Sequence, residues 1–373
     1  MSFNWFDLIV SFGILQGLVS SVLLIRRTKG NISRQLLIAL LLVACLLSFK
    51  ILLHTLRLWD TGFFRYFPLA IDLLIQPLVY LYVASLTREG FKWTTKHWLH
   101  FLPAVLFMVH ALIVCLLVFP VSSLTQKDVL AESLHFNAVK NAEDYLSAIS
   151  ALTYGYLSLL SVERYRDWLQ LNISDTNYTT LGWLKNILLS TGILGLVLVI
   201  NIFLEQVLHG GFSFLHWQVF YIYLSALIYY LGFKALNGRE MPVQLPAGSQ
   251  LQIDPVARFT AEELDHANLL IRTALEEQRV FLDGELTLQK LAQELQLNGA
   301  LVSAAINSGM KQTFRALINS YRVEEVKIRI ADPKYAHLSM LGIALECGFN
   351  SEASFYRIFK SATGYAPKQY IKL

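Results

Sequence analysis

Long apolar stretches, separated by short polar ones, restrict the fold of this sequence more than any other feature. A helix needs about 20 apolar residues to cross a hydrocarbon core about 30 Å thick. Seven apolar stretches that approach or reach this length lie at residues 5–25, 36–56, 66–86, 98–118, 145–160, 183–204 and 217–236. The fifth is the shortest and contains several serines. The pattern predicts an all-α protein whose residues 1–236 form a seven-helix transmembrane bundle.

The composition favours a membrane protein. Hydrophobic residues make up 55% of the chain and charged residues only 16%, whereas soluble domains contain about 25% charged residues. This balance excludes a wholly soluble enzyme, a disordered regulator and a collagen-like repeat. Neither Lys nor Arg precedes the first stretch, while Arg26 and Arg27 follow it directly. We therefore expect a retained span and not a cleaved signal peptide.

The basic residues between the spans predict their orientation. Nine lie in the loops after spans one, three and five: Arg26, Arg27, Lys29, Arg34, Arg88, Lys92, Lys96, Arg164 and Arg166. The opposite loops contain four: Arg57, Arg65, Lys127 and Lys140. Because basic loops tend to remain in the cytoplasm, the N-terminus is predicted outside. An odd number of spans then delivers the C-terminal part of the chain to the cytoplasm.

Three polar residues fall inside the predicted spans. Lys50 lies in the second span, and Asp72 and Gln76 lie in the third. Ionisable groups at membrane depth are costly unless they are paired, so they often mark a functional site. One interpretation is an intramembrane sensing or ligand-binding site. The other is that Asp72 pairs with Lys50 or with polar neighbours and specifies helix packing, or that both residues lie near an interface.

The composition changes after the last apolar stretch. Residues 237–259 are rich in Gly, Pro and polar side chains, which predicts a linker between two domains. Thr260 and Glu263 then form a capping box that begins a run of apolar residues at helical spacing. An amphipathic connecting helix is therefore expected within 260–286. Its apolar face could dock on the following domain or pair with a second copy, and a helix placed here could couple membrane and cytoplasm.

The C-terminal residues 287–373 are basic. They carry 11 Lys and Arg against 6 Asp and Glu, an excess of 11 − 6 = +5. A compact basic domain attracts polyanions, but nucleic acid and anionic lipid satisfy this charge equally well. Charge alone therefore does not identify the partner.

An internal repeat in these residues is more specific. Apolar positions coincide at an offset of 52 residues, and then at 53 after one extra residue in the second turn. The matched pairs are Leu291 with Ile343, Ala292 with Ala344, Leu295 with Cys347, Leu297 with Phe349, Val302 with Phe355 and Ile306 with Phe359. Each unit is typical of two short helices around a turn, and a small alanine lets them cross closely. Unbroken helical periodicity over 314–330, ended by Asp332 and Pro333, predicts a long helix that joins two helix-turn-helix units.

A family resemblance strengthens this interpretation. Residues 348–372 match a family signature at fixed spacing, at Gly348, Phe349, Phe355, Arg357, Phe359, Lys360, Gly364 and Pro367. The C-terminal domain, 287–373, resembles the DNA-binding domain of AraC/XylS-type transcriptional regulators. A multi-span region followed by a linker is similar to membrane-tethered members of that family. The resemblance implies two helix-turn-helix units that enter successive major grooves of double-stranded DNA.

The family's second recognition helix corresponds to residues 351–360. The resemblance implies DNA-contacting positions at Ser351, Ala353, Ser354, Tyr356, Arg357 and Lys360, with Ala353, Ser354 and Arg357 facing the bases. Arg357 can donate two hydrogen bonds to guanine O6 and N7. Lys360 is better placed for a phosphate, as is the tyrosine. The alternative for Arg357 is a surface ion pair with Glu352, and the two phenylalanines of this helix are expected in the core.

The first recognition helix departs from the family pattern. Its DNA-contacting positions are expected at Ala300, Ser303, Ala304, Asn307 and Lys311. The arginine often found in the family at the position of Ala304 is absent, so base readout should be weak and rely on methyl contacts and shape. The polar members could hold phosphates, as could Arg315 and Arg322. Lys311 stands where the second repeat has Gly364, which puts the usual left-handed helix cap in question.

The chain contains no P-loop, GxGxxG or GxSxG motif and no His/Cys cluster at metal-ligand spacing, so no enzyme, metal site or cofactor is predicted. We interpret the chain as a membrane-tethered, sequence-specific DNA-binding transcription regulator whose transmembrane domain senses a signal. The expected partners are double-stranded DNA and the lipid bilayer. A homodimer and an unidentified small-molecule or membrane signal are further candidates.

The resemblance implies the cytoplasmic membrane of a bacterium, and the basic residues between the spans predict an N-terminus outside and a C-terminal domain in the cytoplasm. An alternative function belongs to another class. In it the spans form a membrane receptor or transporter, and the C-terminal helical domain is a protein-docking module that has lost base readout.

Overall fold

The computed structural model describes residues 4–26, 31–88, 90–175, 180–208, 214–237 and 259–370, without the side chains of 201–203 and 205–208. These residues form helices, and none of them forms a strand of a β-sheet. The all-α fold predicted from the sequence is therefore confirmed. Two compact units are present, one of residues 1–162 and 182–239 and the other of 163–181 and 240–373. Most of the predicted linker 237–259 lies outside the described residues, as do Arg27 and Lys29.

The helices of the first unit are long and apolar. They are α1 (Trp5–Ile25), α2 (Ile32–Thr55), α3 (Ile75–Thr87), α4 (Thr95–Trp98), α5 (Leu102–Val118), α6 (Leu124–Ser133), α7 (Phe136–Asn172), α8 (Gly182–Leu208) and α9 (Leu215–Asn237). Within the described ranges, six segments have the length and composition needed to cross a bilayer: Trp5–Ile25, Ile32–Thr55, Thr95–Val118, Phe136–Asn172, Gly182–Ile200 and Leu215–Asn237.

The third predicted span, 66–86, is shorter in the structure. Its helix begins as a 3-10 turn at Asp72 and continues as α3 to Thr87. Tyr66 has a left-handed backbone with φ of 61°. Pro68, two residues later, has no backbone N–H and restricts the preceding Phe67. The remaining helix is about 24 Å long at 1.5 Å per residue, less than the hydrocarbon thickness.

The fifth stretch differs in the opposite direction. The sequence predicts a short span over 145–160, but α7 contains 37 residues. At 1.5 Å per residue this helix is about 56 Å long, nearly twice the thickness of a hydrocarbon core. Residues 136–162 belong to the first unit and 163–172 to the second.

Close packing of small residues joins α1 to its neighbours in the first unit. A Cβ atom on Gly13 would lie 2.7 Å from Cβ of Ser225 in α9, and one on Gly17 would clash with Sγ of Cys45 in α2. Such contacts are typical of helix association in membranes, where small residues let backbones approach. On the outward face of α1, Phe12 is 62% exposed. Exposed apolar surface of this kind suits lipid rather than water.

The second unit contains the C-terminal helices. They are α10 (Ala261–Glu276), α11 (Leu288–Glu294), α12 (Gly299–Ala304), α13 (Phe314–Ala331), α14 (Met340–Glu346), α15 (Glu352–Thr363) and α16 (Pro367–Tyr370). A π-helical turn at Ala305–Gly309 extends α12. Helix α13 is the predicted long helix, and its C-cap is Asp332, directly before Pro333. Helix α10 begins at the predicted capping box of Thr260 and Glu263.

The internal repeat is visible in the backbone. At an offset of 52 residues, Thr287 and Ser339 cap the first helices, and Gln296 and Gly348 both have positive φ in the turns. At an offset of 53, Asn298 and Ser351 cap the second helices, and Lys311 and Gly364 both have positive φ after them. The extra residue predicted in the second turn is therefore confirmed. Lys311 adopts the left-handed backbone that glycine provides in the second repeat.

Each helix-turn-helix unit has its own apolar core, and α13 contributes to both. In the first core, Phe314 and Ile318 of α13 pack with α11, α12 and the apolar face of α10. In the second core, Val323 and Val326 of α13 pack with Phe355 and with the other apolar residues of α14 and α15. Since one helix supplies residues to both cores, the two helix-turn-helix repeats are held in a fixed relation to each other.

The guanidinium of Arg322 lies between these cores, with a relative exposure of 1%. Its Nε donates to the carbonyl oxygen of Phe281 at 2.8 Å, and its Nη2 donates to that of Asp283 at 2.7 Å. Nη2 also donates to Oγ of Ser174 at 3.2 Å. Burial lowers the pKa of Arg322 to about 10. This arginine therefore supports the fold, and it is not available for the phosphate contact suggested by the sequence.

The turn at Gly348 provides a test of this packing. Gly348 has φ of +87°, and an added Cβ would lie 2.7 Å from the carbonyl oxygen of Phe281 and 2.9 Å from Nε of Arg322. We expect Gly348→Ala to lower the free energy of unfolding of the second unit by about 2 kcal/mol or more, since the left-handed backbone alone costs about 1–2 kcal/mol. Urea-dependent proteolysis of the full-length protein in detergent measures this change.

Gly342→Ala is the matched control. Gly342 lies in α14 of the same unit, and its added Cβ would make only ordinary contacts, at 3.4 Å or more. Because alanine favours a helix over glycine by about 1 kcal/mol, this variant should be as stable as the parent or more so. Equal loss of stability in both variants would contradict the role assigned to Gly348.

Candidate nucleic-acid interface

Helix α15 presents the most complete candidate surface for nucleic acid. Ser351 begins the helix by accepting a hydrogen bond from the backbone N–H of Ser354, and Gly364 ends it with a left-handed backbone. Phe355 and Phe359 are fully buried, as predicted, and anchor the helix in the second core. The helix is therefore fixed at both ends and along its inner face.

The outer face of α15 carries two basic side chains. Ala353, Arg357 and Lys360 are exposed and lie at spacings of four and three residues, which places them on one side of the helix. The alternative predicted for Arg357 was an ion pair with Glu352. Both residues are described, and no ion pair joins them. The Arg357 side chain is accordingly available to an external acceptor.

Ser354 does not fit its predicted role as a base contact. Its relative exposure is only 4%, and its hydroxyl donates to the carbonyl oxygen of Ser351 at 3.0 Å. The Ser351 hydroxyl in turn donates to Oγ of Ser354 at 2.9 Å. These two serines form a cap at the start of α15, so neither hydroxyl is free to read a base. Tyr356 is half-buried, with its ring against Phe355.

The first recognition helix, α12 with its π-helical turn, offers fewer groups. Ala304 was predicted to face DNA, but it is fully buried. Its methyl group belongs to the buried core, as do the side chains of the following Ala305 and Ile306. Ala300, Ser303 and Asn307 are half-exposed, and Nδ2 of Asn307 donates to Oγ of Ser303 at 3.2 Å. Lys311 is exposed beyond the helix end.

A contact that the sequence did not predict involves the residues just after α7. The segment Ile173, Ser174 and Asp175, here called the 173–175 segment, lies in the second unit. Nε of Arg315 donates to the carbonyl oxygen of Ile173 at 2.9 Å, and its Nη2 donates to that of Asp175 at 3.0 Å. In this arrangement Arg315 is occupied and does not face solvent as a free phosphate contact. Since 142 positions separate Arg315 from Ile173, no local pattern could reveal this pair.

Two of the three polar residues predicted inside the spans, Lys50 and Asp72, form part of a larger ionic cluster in the first unit. Lys50 Nζ forms an ion pair with Asp72, and Lys140 Nζ lies 3.2 Å from the same carboxylate. Lys140 also pairs with Glu143 at 3.0 Å and with Asp144. The pairing of Asp72 with Lys50 that the sequence suggested is present. The other three members were missed, because the sequence analysis placed Lys140 in a loop.

The three carboxylates of this cluster are close enough for one oxygen of each to meet a cation. Nζ of Lys140 contacts all three, so the protein itself supplies the positive charge that they require. Gln76 lies apart from this group, and its Nε2 donates to Oγ of Ser147 at 3.3 Å. Glu143 is 2% exposed, and its second oxygen, Oε1, has no hydrogen-bond partner. One buried acceptor of the cluster is therefore unsatisfied.

Comparison with known proteins supports the C-terminal part of the interpretation. A family model described as a helix-turn-helix domain matches residues 291–372. The melibiose operon regulatory protein of Escherichia coli K12 is 32% identical over 91 residues, which are 24% of this chain and 29% of that protein. An uncharacterised HTH-type transcriptional regulator of Staphylococcus aureus is 33% identical over 86 residues, 23% of this chain and 11% of that protein. No solved structure matches the chain significantly.

These matches support the predicted AraC-type helix-turn-helix domain at the C-terminus. The chain spans less than a third of the length of these curated relatives. The relatives are named as regulatory proteins, which agrees with the prediction that this chain is not an enzyme. The matched part lies within the second unit and contains both repeats.

The burial pattern of α15 can be tested with single cysteines. Ala353 is exposed and its neighbour Ser354 is buried. In a Cys115→Ala background, since Cys45 and Cys347 are buried, we expect Ala353→Cys to react with a maleimide about tenfold faster or more than Ser354→Cys, because alkylation needs an accessible thiolate. Labelling rates of the full-length protein measure the difference. Equal rates would contradict the placement of these two side chains.

Proposed function

We propose that this protein is a membrane-tethered, sequence-specific DNA-binding transcription regulator whose transmembrane unit senses a signal. The observation that carries the proposal is the duplicated helix-turn-helix of the second unit, with caps and turns repeated at offsets of 52 and 53 residues. The family match over residues 291–372 covers the same two repeats. A rigid pair of such units suits two successive major grooves of a DNA duplex.

The exposed face of α15 supplies sequence readout in this proposal. Arg357 projects from the middle of the helix, where its guanidinium can donate to guanine O6 and N7. Lys360 lies one turn further along the helix and suits a phosphate contact. In the first helix-turn-helix, Ala300, Ser303 and Asn307 provide a small, weakly polar surface. We therefore assign most of the specificity to the second helix-turn-helix and mainly positioning to the first.

The six long apolar helices support the membrane tether. Their exposed apolar side chains suit lipid, and the positive-inside bias of nine basic residues against four favours an external N-terminus. With α3 as a shorter seventh crossing, the C-terminal unit would lie in the cytoplasm of a bacterium, on the same side as the chromosome. Helix α7 is long enough to cross the bilayer and continue well beyond it.

The ionic cluster of Lys50, Asp72, Lys140, Glu143 and Asp144 is the proposed sensing element. Ionic groups that share one counter-charge respond to a change in any member, since each is stabilised by the others. A second arrangement of the cluster in which the unpaired Oε1 of Glu143 accepts a hydrogen bond would be stabilised by that bond. A signal acts here only if it binds the two arrangements with different affinity.

A protein-docking module in a membrane receptor or transporter is the second candidate function. The burial of Ala304 favours it, because the first recognition helix then exposes few groups that could read bases. Binding to duplex DNA separates the two candidates. A docking module would show no binding that depends on salt or on the basic residues of α15.

The DNA-binding proposal predicts a steep salt dependence. Full-length protein in nanodiscs of zwitterionic lipid should bind duplex DNA, and Lys360→Ala should flatten the slope of log K against log salt by about 0.9, the value for one phosphate contact. Arg357→Ala should cost about 1–3 kcal/mol on a cognate site and relax specificity at one base pair. Fluorescence anisotropy over a salt series measures both effects.

Arg272→Ala is the control for these variants. Arg272 is an exposed arginine of α10, outside the two repeats, so its removal should leave both the slope and the specificity unchanged. DNA binding that is independent of salt and unchanged by all three substitutions would favour the docking module. Equal loss on every DNA sequence would make Arg357 a phosphate contact instead of a base reader.

The sensing proposal predicts an effect of Asp72→Asn. The substitution removes the charge that Lys50 and Lys140 share, so the balance between arrangements of the cluster should shift. Genome-wide mapping of the full-length protein should show the same DNA sites with changed occupancy. Asp128→Asn, which alters the separate pair with Arg65, is the control. Unchanged occupancy at normal protein level would exclude a sensing role for Asp72.

A further inference from the structure

The 173–175 segment occupies polar groups of the DNA-binding unit that would otherwise face an external partner. Ser174 is fully buried. Its Oγ donates to the carbonyl oxygen of Leu286 at 2.6 Å, and its own carbonyl accepts from Nδ2 of Asn319 at 3.2 Å. Ile173 forms an isolated antiparallel β-bridge with Thr287. These specific contacts hold the three-residue segment against the helices of the second unit.

The segment lies at the beginning of α13, which joins the two helix-turn-helix units, and beside the beginning of α15, the proposed base-reading helix. Arg315, which holds two of its carbonyl groups, is the second residue of α13. Asn350, directly before the cap of α15, donates from Nδ2 to Oδ2 of Asp175 at 2.8 Å. The Asp175 carboxylate is therefore held beside the beginning of α15.

The Arg315 guanidinium would bind a phosphate more strongly than it binds its acceptors in the segment. Its two acceptors in the segment are neutral carbonyl groups, whereas a phosphate oxygen would give a charge-assisted hydrogen bond about twice as strong. Burial lowers the pKa of Arg315, the charge of Asp175 raises it, and the charge of Arg357 lowers it again. Arg357, the proposed base reader, is therefore close enough to Arg315 for their charges to interact.

We propose that the 173–175 segment is an intramolecular brake on DNA binding, which covers Arg315 and Asn350 and must leave them before the domain binds DNA tightly. The inference rests on the proposed function, since a brake requires that the second unit binds DNA. Release exposes one guanidinium and one amide beside α15, and both become phosphate contacts. Arg322 keeps the carbonyl groups of Phe281 and Asp283 after release, so the fold of the unit survives.

Helix α7 connects the segment to the ionic cluster along the chain. The segment follows its last residue, Asn172, without an intervening element. The same helix carries Lys140, Glu143 and Asp144 of the ionic cluster near its first turns.

A reversible disulfide tests the brake. Residues paired in a β-bridge have Cβ atoms about 4.5–5.5 Å apart, close to the spacing that a disulfide needs. In full-length Ile173→Cys/Thr287→Cys in nanodiscs, oxidation should hold the segment in place and weaken binding to duplex DNA by about tenfold or more. A reductant should restore the affinity. The single variants Ile173→Cys and Thr287→Cys, oxidised and reduced in parallel, are the matched controls.

The outcomes separate failure of the brake from failure of the proposed function. Weaker binding of the oxidised double variant, reversed by reductant and absent from both single variants, supports the brake. Salt-dependent DNA binding that is equal in both redox states, or tighter when oxidised, overturns the brake and leaves the proposed function standing. Absence of salt-dependent DNA binding from parent and variants in every state overturns the proposed function, and the brake with it.

A release variant gives the opposite test and does not depend on disulfide formation. Ser174→Leu removes the buried hydroxyl and cannot fit its space, so the segment should undock and DNA should bind about tenfold more tightly, equivalent to 1.4 kcal/mol. Ser320→Leu, at an exposed position of α13, is the control for added apolar bulk. An affinity of Ser174→Leu equal to or below that of the parent, with unchanged urea stability of the second unit, would count against the brake.

Discussion

Burial of a single guanidinium, that of Arg322, organises the second unit. It joins the middle of α13 to the carbonyl groups of Phe281 and Asp283 and to the hydroxyl of Ser174. A buried charge without partners would be strongly destabilising, so the two carbonyl groups must stay in place whenever the unit is folded. Because α13 also contributes to both apolar cores, the same interaction fixes the relation between the two helix-turn-helix units, on which any readout of successive grooves depends.

Cationic side chains are paired in different ways in the two units. In the first unit, Lys140 is surrounded by the carboxylates of Asp72, Glu143 and Asp144, so opposite charges offset one another. In the second, Arg315 and Arg322 are held mainly by neutral carbonyl groups. The first arrangement can change when any member changes, whereas Arg322 is fixed by backbone. Arg315 is intermediate, since its acceptors belong to a segment that can leave while the fold remains.

Helix α7 is common to both arrangements. It carries three members of the ionic cluster near its beginning and precedes the 173–175 segment at its end. In the proposed function, α7 joins the sensing cluster to the brake along the chain. Such a sensor requires two arrangements of charge whose energies a signal can change.

Much of the candidate interface could be predicted from the sequence. The two wrong predictions have a common cause. The core roles of Phe355 and Phe359, and the exposure of Arg357 and Lys360, follow from helical periodicity. Ser354 and Ala304 were wrongly expected at the surface. Both are small residues, which fit either face of a helix, so spacing alone does not place them. Ser354 is held by the capping hydrogen bonds of α15, and Ala304 lies in the core.

The sequence by itself determined the all-α fold, the duplicated helix-turn-helix units and the long helix between them, because each depends on the spacing of neighbouring residues. Only the tertiary structure decided that Lys140 completes a cluster with Asp72, and that the 173–175 segment docks on Arg315 and Asn350. The partners in these contacts are 68, 142 and 175 positions apart. Pairings at such separations are selected by folding in three dimensions and leave no periodic pattern along the chain.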